Sequence, residues 1–346
     1  MTRRLVLHSM IVVIVVMVLA RPIGNTVNAE NPTETPRSTE SAPPVLQLRG
    51  VIAPIHDPTL IKAGEMYYIF STGQGIPIHC SKDMLTWDIC DRVFSFYPPW
   101  VIKAVPNVTD LWAPDIVFWE GKYHLYYAVS TFGSNQSAIG LATNVTLDQS
   151  SKDYKWVDQG EVIASQTSDD FNAIDPNLVT DQNGQRWLAL GSFWTGIKLR
   201  AIDSATGKLA SSDPTLYALA SRPGNTAIEG AFITYRSGYY YLFVSFDFCC
   251  RGVASTYNIR VGRAEHITGP YADREGKPML DGGGSLIFAG SDRWHGPGHN
   301  SIYIENGIYW IVYHAYDAQT NGAPTLRMDA LQWDNDGWPM QLTSAE

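Results

Sequence analysis

The chain has 346 residues, a formal net charge of −9, 29 glycines and 12% aromatic residues. It is long enough for a large core, and its acidic balance, with no basic stripe to offset it, excludes a binder of nucleic acid or anionic lipid. Without the arginines at 3, 4 and 21 the count is 22 basic against 34 acidic side chains, or −12, so a neutral partner is expected.

In chain order, Arg3 and Arg4 precede an apolar run from Ile11 to Ala20, and Val27-Asn28-Ala29 offers small residues for cleavage. The run is too short to span a bilayer comfortably, so residues 1–29 read as a secretory signal peptide. The mature protein is therefore expected to be secreted and extracellular, with no membrane segment. Residues 30–45 are dominated by Pro, Thr, Ser and Glu with almost nothing to bury, the composition of a disordered linker.

Residues 46–346 carry a repeat. An acid, usually followed by proline or glycine, leads into a short apolar run, and about ten residues later comes a run rich in tyrosine and tryptophan. The leading segments are Ile55-His56-Asp57-Pro58-Thr59-Leu60, Ala113-Pro114-Asp115-Ile116-Val117, Ile174-Asp175-Pro176-Asn177-Leu178 and Ile228-Glu229-Gly230-Ala231-Phe232. In a fifth, Pro297-Gly298-His299-Asn300-Ser301, a histidine stands where the acids stood. Steps of 58, 60, 54 and 70 residues separate Asp57, Asp115, Asp175, Glu229 and His299. Five copies at that period predict an all-β, five-bladed β-propeller with each blade a small antiparallel sheet. Asn183-Gly184, Asn306-Gly307 and Asp336-Gly337 are turn signals between alternating runs, as hairpins require. On this reading the five leading positions converge on one axis.

The four cysteines allow three pairings. Cys80 with Cys90 closing a hairpin, and Cys249 with Cys250 as an adjacent pair, is the favoured one; no spacing resembles a zinc site. Sequons at Asn107, Asn135 and Asn144 are no more than a chain of this length carries by chance.

Acids crowded on one axis suit glycoside cleavage, in which one carboxyl protonates the leaving oxygen while a second activates water or attacks carbon. Burial and a neighbouring carboxylate keep such an acid protonated. Asp57 and Asp175 each precede a proline and would serve equally as turn initiators. Glu229 is harder to explain by structure, because it opens the apolar stretch Ala231-Phe232-Ile233, where an unpaired carboxylate costs several kcal/mol.

The segments around Asp57, Asp175 and Glu229 resemble the three signature sites of glycoside hydrolase family 43. Leu111-Trp112-Ala113-Pro114-Asp115, Ser245-Phe246-Asp247 ahead of Cys249-Cys250-Arg251-Gly252, Gly296-Pro297-Gly298-His299-Asn300 and Asp334-Asn335-Asp336-Gly337-Trp338-Pro339 resemble its endo-1,5-α-L-arabinanase branch. The resemblance covers roughly residues 50–340. It implies an inverting hydrolase of α-1,5-linked arabinan, with Asp57 as general base, Glu229 as general acid and Asp175 as the residue that positions the acid and tunes its pKa. It also implies that His299 holds a hydrated metal, usually calcium. No dense acidic loop supplies the oxygens such a cation prefers, so the ion is expected to be mostly hydrated and to act through its charge. No organic cofactor is expected.

Trp112, Asp115, Asn177 and Phe246 are the expected substrate contacts, the aromatic pair because sugar faces stack on such rings. The expected partner is arabinan or an arabino-oligosaccharide, and the expected state a monomer. An exo-acting α-L-arabinofuranosidase or β-xylosidase would keep the same three acids. A non-catalytic sugar-binding propeller would have lost one.

Overall fold

The structure is a computed structural model that describes residues 46–224 and 227–342. The expected leader (1–29) and linker (30–45) lie outside the described residues. Strands form where the repeat places them and group into five separate sheets. Blade 1 comprises Thr59–Ala63, Met66–Phe70, Pro77–Ser81 and Thr86–Arg92, with Arg49–Gly50 added in parallel to the last. Blade 2 comprises Trp112–Trp119, Lys122–Val129, Ser137–Asn144 and Val157–Ser165. Blade 3 comprises Asn177–Thr180, Arg186–Leu190 and Ile197–Asp203, with Lys208–Leu209 and Tyr217–Ala220 both pairing the third of these. Blade 4 comprises Ile228–Arg236, Tyr239–Phe246, Asn258–Ala264 and Ser285–Phe288; blade 5 comprises Trp294–Glu305, Ile308–Asp317 and Ala323–Ala330. The expectation of a five-bladed propeller is met. Among the described residues no helix is long and apolar enough to cross a membrane.

Tight hairpins join the two inner strands of most blades. Asn306-Gly307, with φ of 52° and 79°, links Glu305 to Ile308, and Ser237-Gly238, at 50° and 93°, links Arg236 to Tyr239. Left-handed backbone at both turn residues matches the twist of the flanking strands, which is why Asn-Gly marks such turns. The core follows from the alternation along the strands. It is divided into wedges between neighbouring blades: Phe70 and Leu125 between blades 1 and 2, Leu141 and Leu188 between 2 and 3, Leu199 and Leu242 between 3 and 4, Phe243 and Ile311 between 4 and 5. The fifth wedge, with Trp87, Ile69 and Val312, closes the ring between blades 5 and 1. Backbone from both ends of the propeller helps to seal it: Ile55 N–H donates to Pro324 O and Leu326 N–H to Ile52 O, each at 2.9 Å. Both cysteine pairs are bonded as favoured, Cys80 with Cys90 across the outer strands of blade 1 and Cys249 with Cys250 in the loop after blade 4's second strand.

Candidate active site

At or near the cavity end of each inner strand a residue takes the left-handed region: Asp57 (φ 50°) and Asp175 (56°) just before their strands, Ala113 (44°), Gly230 (60°) and His299 (48°) within theirs. That conformation is uncommon outside glycine, and its recurrence marks five equivalent turns at the mouths of the inner strands. The structure thereby corrects the register read from the sequence. Asp115 stands two residues beyond its blade's turn and Glu229 one before, because bulges interrupt the pairing between Trp112 and Asp115 and between Glu229 and Phe232.

The turns surround a cavity of about 850 Å³, lined from all five blades. Asp57, Asp175, Glu229, His299 and Trp112 are on its wall. Asp115, Asn177 and Phe246 are not among its lining residues, which corrects their expected role as substrate contacts. Asp115 accepts from Thr59 Oγ1 (3.2 Å), Asn177 Nδ2 (3.1 Å) and Leu178 N–H (2.6 Å), and Asn177 Oδ1 accepts from Ile233 N–H (2.8 Å). These residues stitch the inner strands of blades 1 to 4 together beneath the cavity floor. Phe246 is buried between the guanidinium groups of Arg222 and Arg260, 4.2 and 5.4 Å from its ring.

Asp57 is buried among three imidazoles. Its Oδ1 lies 2.8 Å from His56 Nδ1, 3.2 Å from His299 Nδ1 and 3.6 Å from His314 Nδ1. Its Oδ2 accepts from Thr72 Oγ1 at 2.6 Å, and Thr72 in turn accepts from Ala113 N–H at 2.8 Å. Burial works to raise the Asp57 pKa, but the imidazoles of His56 and His299, with the His56 hydrogen bond, outweigh it and hold the carboxyl well below the usual range. His314, fully buried, is held well below the ordinary imidazole value by burial and stays neutral, its Nδ1 accepting from Asp57 N–H at 3.1 Å. Asp57 is thus a fixed, ionised carboxylate.

Glu229 has a different setting. Ser192 Oγ donates to its Oε2 and Tyr257 O–H to its Oε1, both at 2.6 Å. Tyr257 cannot back away, because its ring lies flat against Gly298, where any side chain would collide with it. Asp175 accepts from Gly230 N–H at 3.0 Å, next in sequence to Glu229. Burial pushes the Asp175 carboxyl up to about 7; His299 opposes that, while the charges of Glu229 and Asp57 add to it. Glycine is favoured at 230 by its φ of +60° and because a β-carbon there would press on the His299 ring at 3.2 Å.

The sequence reading missed Thr72, Ser192, Tyr257 and His314. A signal for three of them was present. The Tyr- and Trp-rich runs lead into a polar residue at the cavity end of the second strand, as in Ser71-Thr72, Ser130, Ser192, Ser245 and His314. Tyr257 carries no such mark among the chain's 18 tyrosines.

An ionised carboxylate and a hydroxyl-bound carboxyl, presented by different blades to one open cavity, are the equipment of a glycoside hydrolase. The profile of glycosyl hydrolases family 43 matches residues 48–339. The chain is 47% identical over 291 residues to an extracellular endo-alpha-(1->5)-L-arabinanase of Bacillus subtilis, covering 82% of this chain and 87% of the relative. It is 43% identical over 296 residues to an extracellular exo-alpha-(1->5)-L-arabinofuranosidase of Cellvibrio japonicus, covering 82% and 85%. The solved structure of a GH43 endo-arabinanase from Bacillus licheniformis superposes with a TM-score of 0.80 at 47% identity, covering 85% of this chain and 99% of that one. The protein belongs to glycoside hydrolase family 43.

Proposed function

We propose that the protein is a secreted, monomeric, inverting endo-hydrolase of α-1,5-linked arabinan. The observation that carries the reading is the contrast between its two carboxyl groups within one cavity. Asp57, ionised and gripped by imidazoles and Thr72, draws a proton from water as the water attacks the anomeric carbon. Glu229 delivers a proton to the departing sugar oxygen, with Tyr257 and Ser192 fixing both of its oxygens so that the proton points at one place. Asp175 holds the backbone that carries Glu229 and, neutral below about pH 7, spares the cavity a negative charge beside that of Asp57. Attack from the face opposite the leaving group turns an α-link into a β-product.

The residues fit a hydrated cation beside this pair. With His299 Nδ1 engaged by Asp57, the lone pair of Nε2 is the nitrogen left for a metal, an arrangement in which a carboxylate orients an imidazole ligand. Calcium, when bound there, supplies positive charge near the carboxylates; His299 would hold it.

Extracellular action agrees with both relatives' names, and a propeller that seals its own ring needs no second subunit to cover a sheet edge. The choice of endo over exo rests on the 47% identity to an endo-acting relative against 43% to an exo-acting one. Chromatography of the earliest products from linear arabinan tests it. A ladder of oligomers is expected; arabinose or one short product from the outset would make the enzyme exo-acting. Proton NMR of the first product should show the β-anomer, and an α-anomer would remove Asp57 from the role of base.

A further inference from the structure

We infer that the Cys249–Cys250 disulfide and Tyr316 form a positioning arm that sets the orientation of His56 and, through it, of Asp57. Cys250 N–H donates to Tyr316 Oη at 2.7 Å, Tyr316 Oη lies 2.8 Å from His56 Nε2, and His56 Nδ1 lies 2.8 Å from Asp57 Oδ1. The direction of each bond follows from the inventory of donors. The backbone amide can only donate, so Tyr316 Oη accepts from it. The Asp57 oxygen that faces it serves as the acceptor, so the hydrogen between the two is on His56 Nδ1. His56 Nε2 then has a bare lone pair, and the phenol hydrogen of Tyr316 completes the chain by pointing at it. Each group in the relay then has a consistent role.

The parts are held stiffly. Tyr316 is buried, 3% exposed, and His56 stacks on the neutral His314 at 3.8 Å between ring centres. At the far end, Cys250 adopts φ of +67°, a conformation a non-glycine residue avoids unless something imposes it. The bond between adjacent cysteines closes a small ring around that peptide and fixes where the Cys250 N–H points. Both cysteines line the same cavity as Asp57. With the two thiols free, Cys250 can relax toward ordinary backbone angles, the Tyr316 contact loosens, and His56 loses the Nε2 partner that fixes the set of its ring.

The inference rests on the reading of Asp57 as base, and its test includes an arm independent of catalysis. Steady-state kinetics on linear arabinan are compared for wild type, Tyr316→Phe, Cys249→Ala/Cys250→Ala and the triple variant, each checked for wild-type melting. Tyr316→Phe should lower kcat roughly 10- to 100-fold, the range expected when a reacting group is slightly misplaced, with KM little changed. The cysteine variant should lose a similar factor, and the triple variant no more than either. Losses that multiply, or a Tyr316→Phe kcat within about twofold of wild type, overturn the arm.

Should the cysteine variant not fold, a dithiol reductant applied to Cys80→Ala/Cys90→Ala replaces it. The reductant closes to its own disulfide, and its two electrons and two protons turn Cys249–Cys250 into two thiols. The kcat should fall by the same factor and return on reoxidation; a kcat indifferent to reduction refutes the proposal. Independently, the ¹⁵N shift of His56 Nε2 should be that of a ring nitrogen accepting a hydrogen bond in the oxidised wild type, and should move to the unbonded value in Tyr316→Phe and in the reduced protein. An unmoved Nε2 shift refutes the arm even for a protein that cleaves no arabinan, whereas failure to cleave arabinan with the Nε2 change present refutes only the proposed activity.

Discussion

Replacing Glu229 by glutamine separates its chemistry from its structural setting. Alanine is the poorer probe, because it leaves the hydroxyls of Ser192 and Tyr257 facing empty space. Both donate to Glu229 at 2.6 Å, and a buried donor left without its acceptor costs about 1–3 kcal/mol, so alanine forfeits about 2–6 kcal/mol of stability from this source. Glutamine keeps one carbonyl oxygen for one hydroxyl, and the other hydroxyl rotates to accept from the amide. The fold should stand, and only the transferable proton is gone.

A sugar alkoxide leaves arabinan with difficulty unless it is protonated, so Glu229→Gln should lower kcat on arabinan by the 10²–10⁴-fold typical of general acid catalysis. By transition-state arithmetic that is about 3–5 kcal/mol of barrier. A dinitrophenyl arabinofuranoside leaves as a stable anion, and its bond-breaking step should be slowed far less. Asp57→Asn should be crippled on both substrates, since each needs activated water. The assay is single-turnover cleavage of the two substrates by each folded variant. Equal losses on both for Glu229→Gln would show that Glu229 is not the acid.

His79, 2% exposed on the strand Pro77–Ser81, is held down to about 4 by burial, and its Nδ1 has no partner among the described residues. The unfolded chain takes up its proton near pH 6.5 and the folded one only near 4, so stability falls as pH drops through that window, by at most about 3 kcal/mol. His79→Leu should match wild type in urea unfolding at pH 7.5 and exceed it at pH 4.5; parallel profiles would refute the attribution. His299→Ala should remove bound metal, read by elemental analysis after dialysis, and lower activity while leaving melting nearly unchanged; undiminished metal would place the ion elsewhere. In a glycosylating host, the folded fraction should carry sugar at Asn107 alone by peptide mass spectrometry. Asn107 is exposed, whereas Asn135 and Asn144 are 3% and 2% exposed and the Asn135 amide is bonded to Asp169 O and Phe171 O.

The propeller was legible because each blade must bury both faces of its inner strands, which writes apolar and aromatic runs at a regular period. Asp57, Asp175, Glu229 and His299 could be picked out because they break that pattern at its edge. The register was not legible. A bulge adds a residue without altering composition, so Asp115 reads like a member of the ring although it is tied into the layer below. Tyr257 and Tyr316 were hidden for another reason. In a chain whose core is built from tyrosine, a phenol that bonds a carboxyl or an imidazole has the same local sequence as one that merely packs.

Asp57, whose backbone N–H donates to His314 Nδ1 within the site, stands 257 positions before it in the chain. At about 5–20 residues per second of synthesis, the base is made roughly 13–50 seconds before its neutral imidazole neighbour exists. Blades 2 to 4 each have a neighbour to pack on as they emerge, but the free face of blade 1 stays uncovered until the last blade arrives. A ribosome that stalls late, or a protease that clips the final hairpin, therefore yields a product with all three acids and no working water-activating group. The order of the genetic message makes competence the last property this chain acquires.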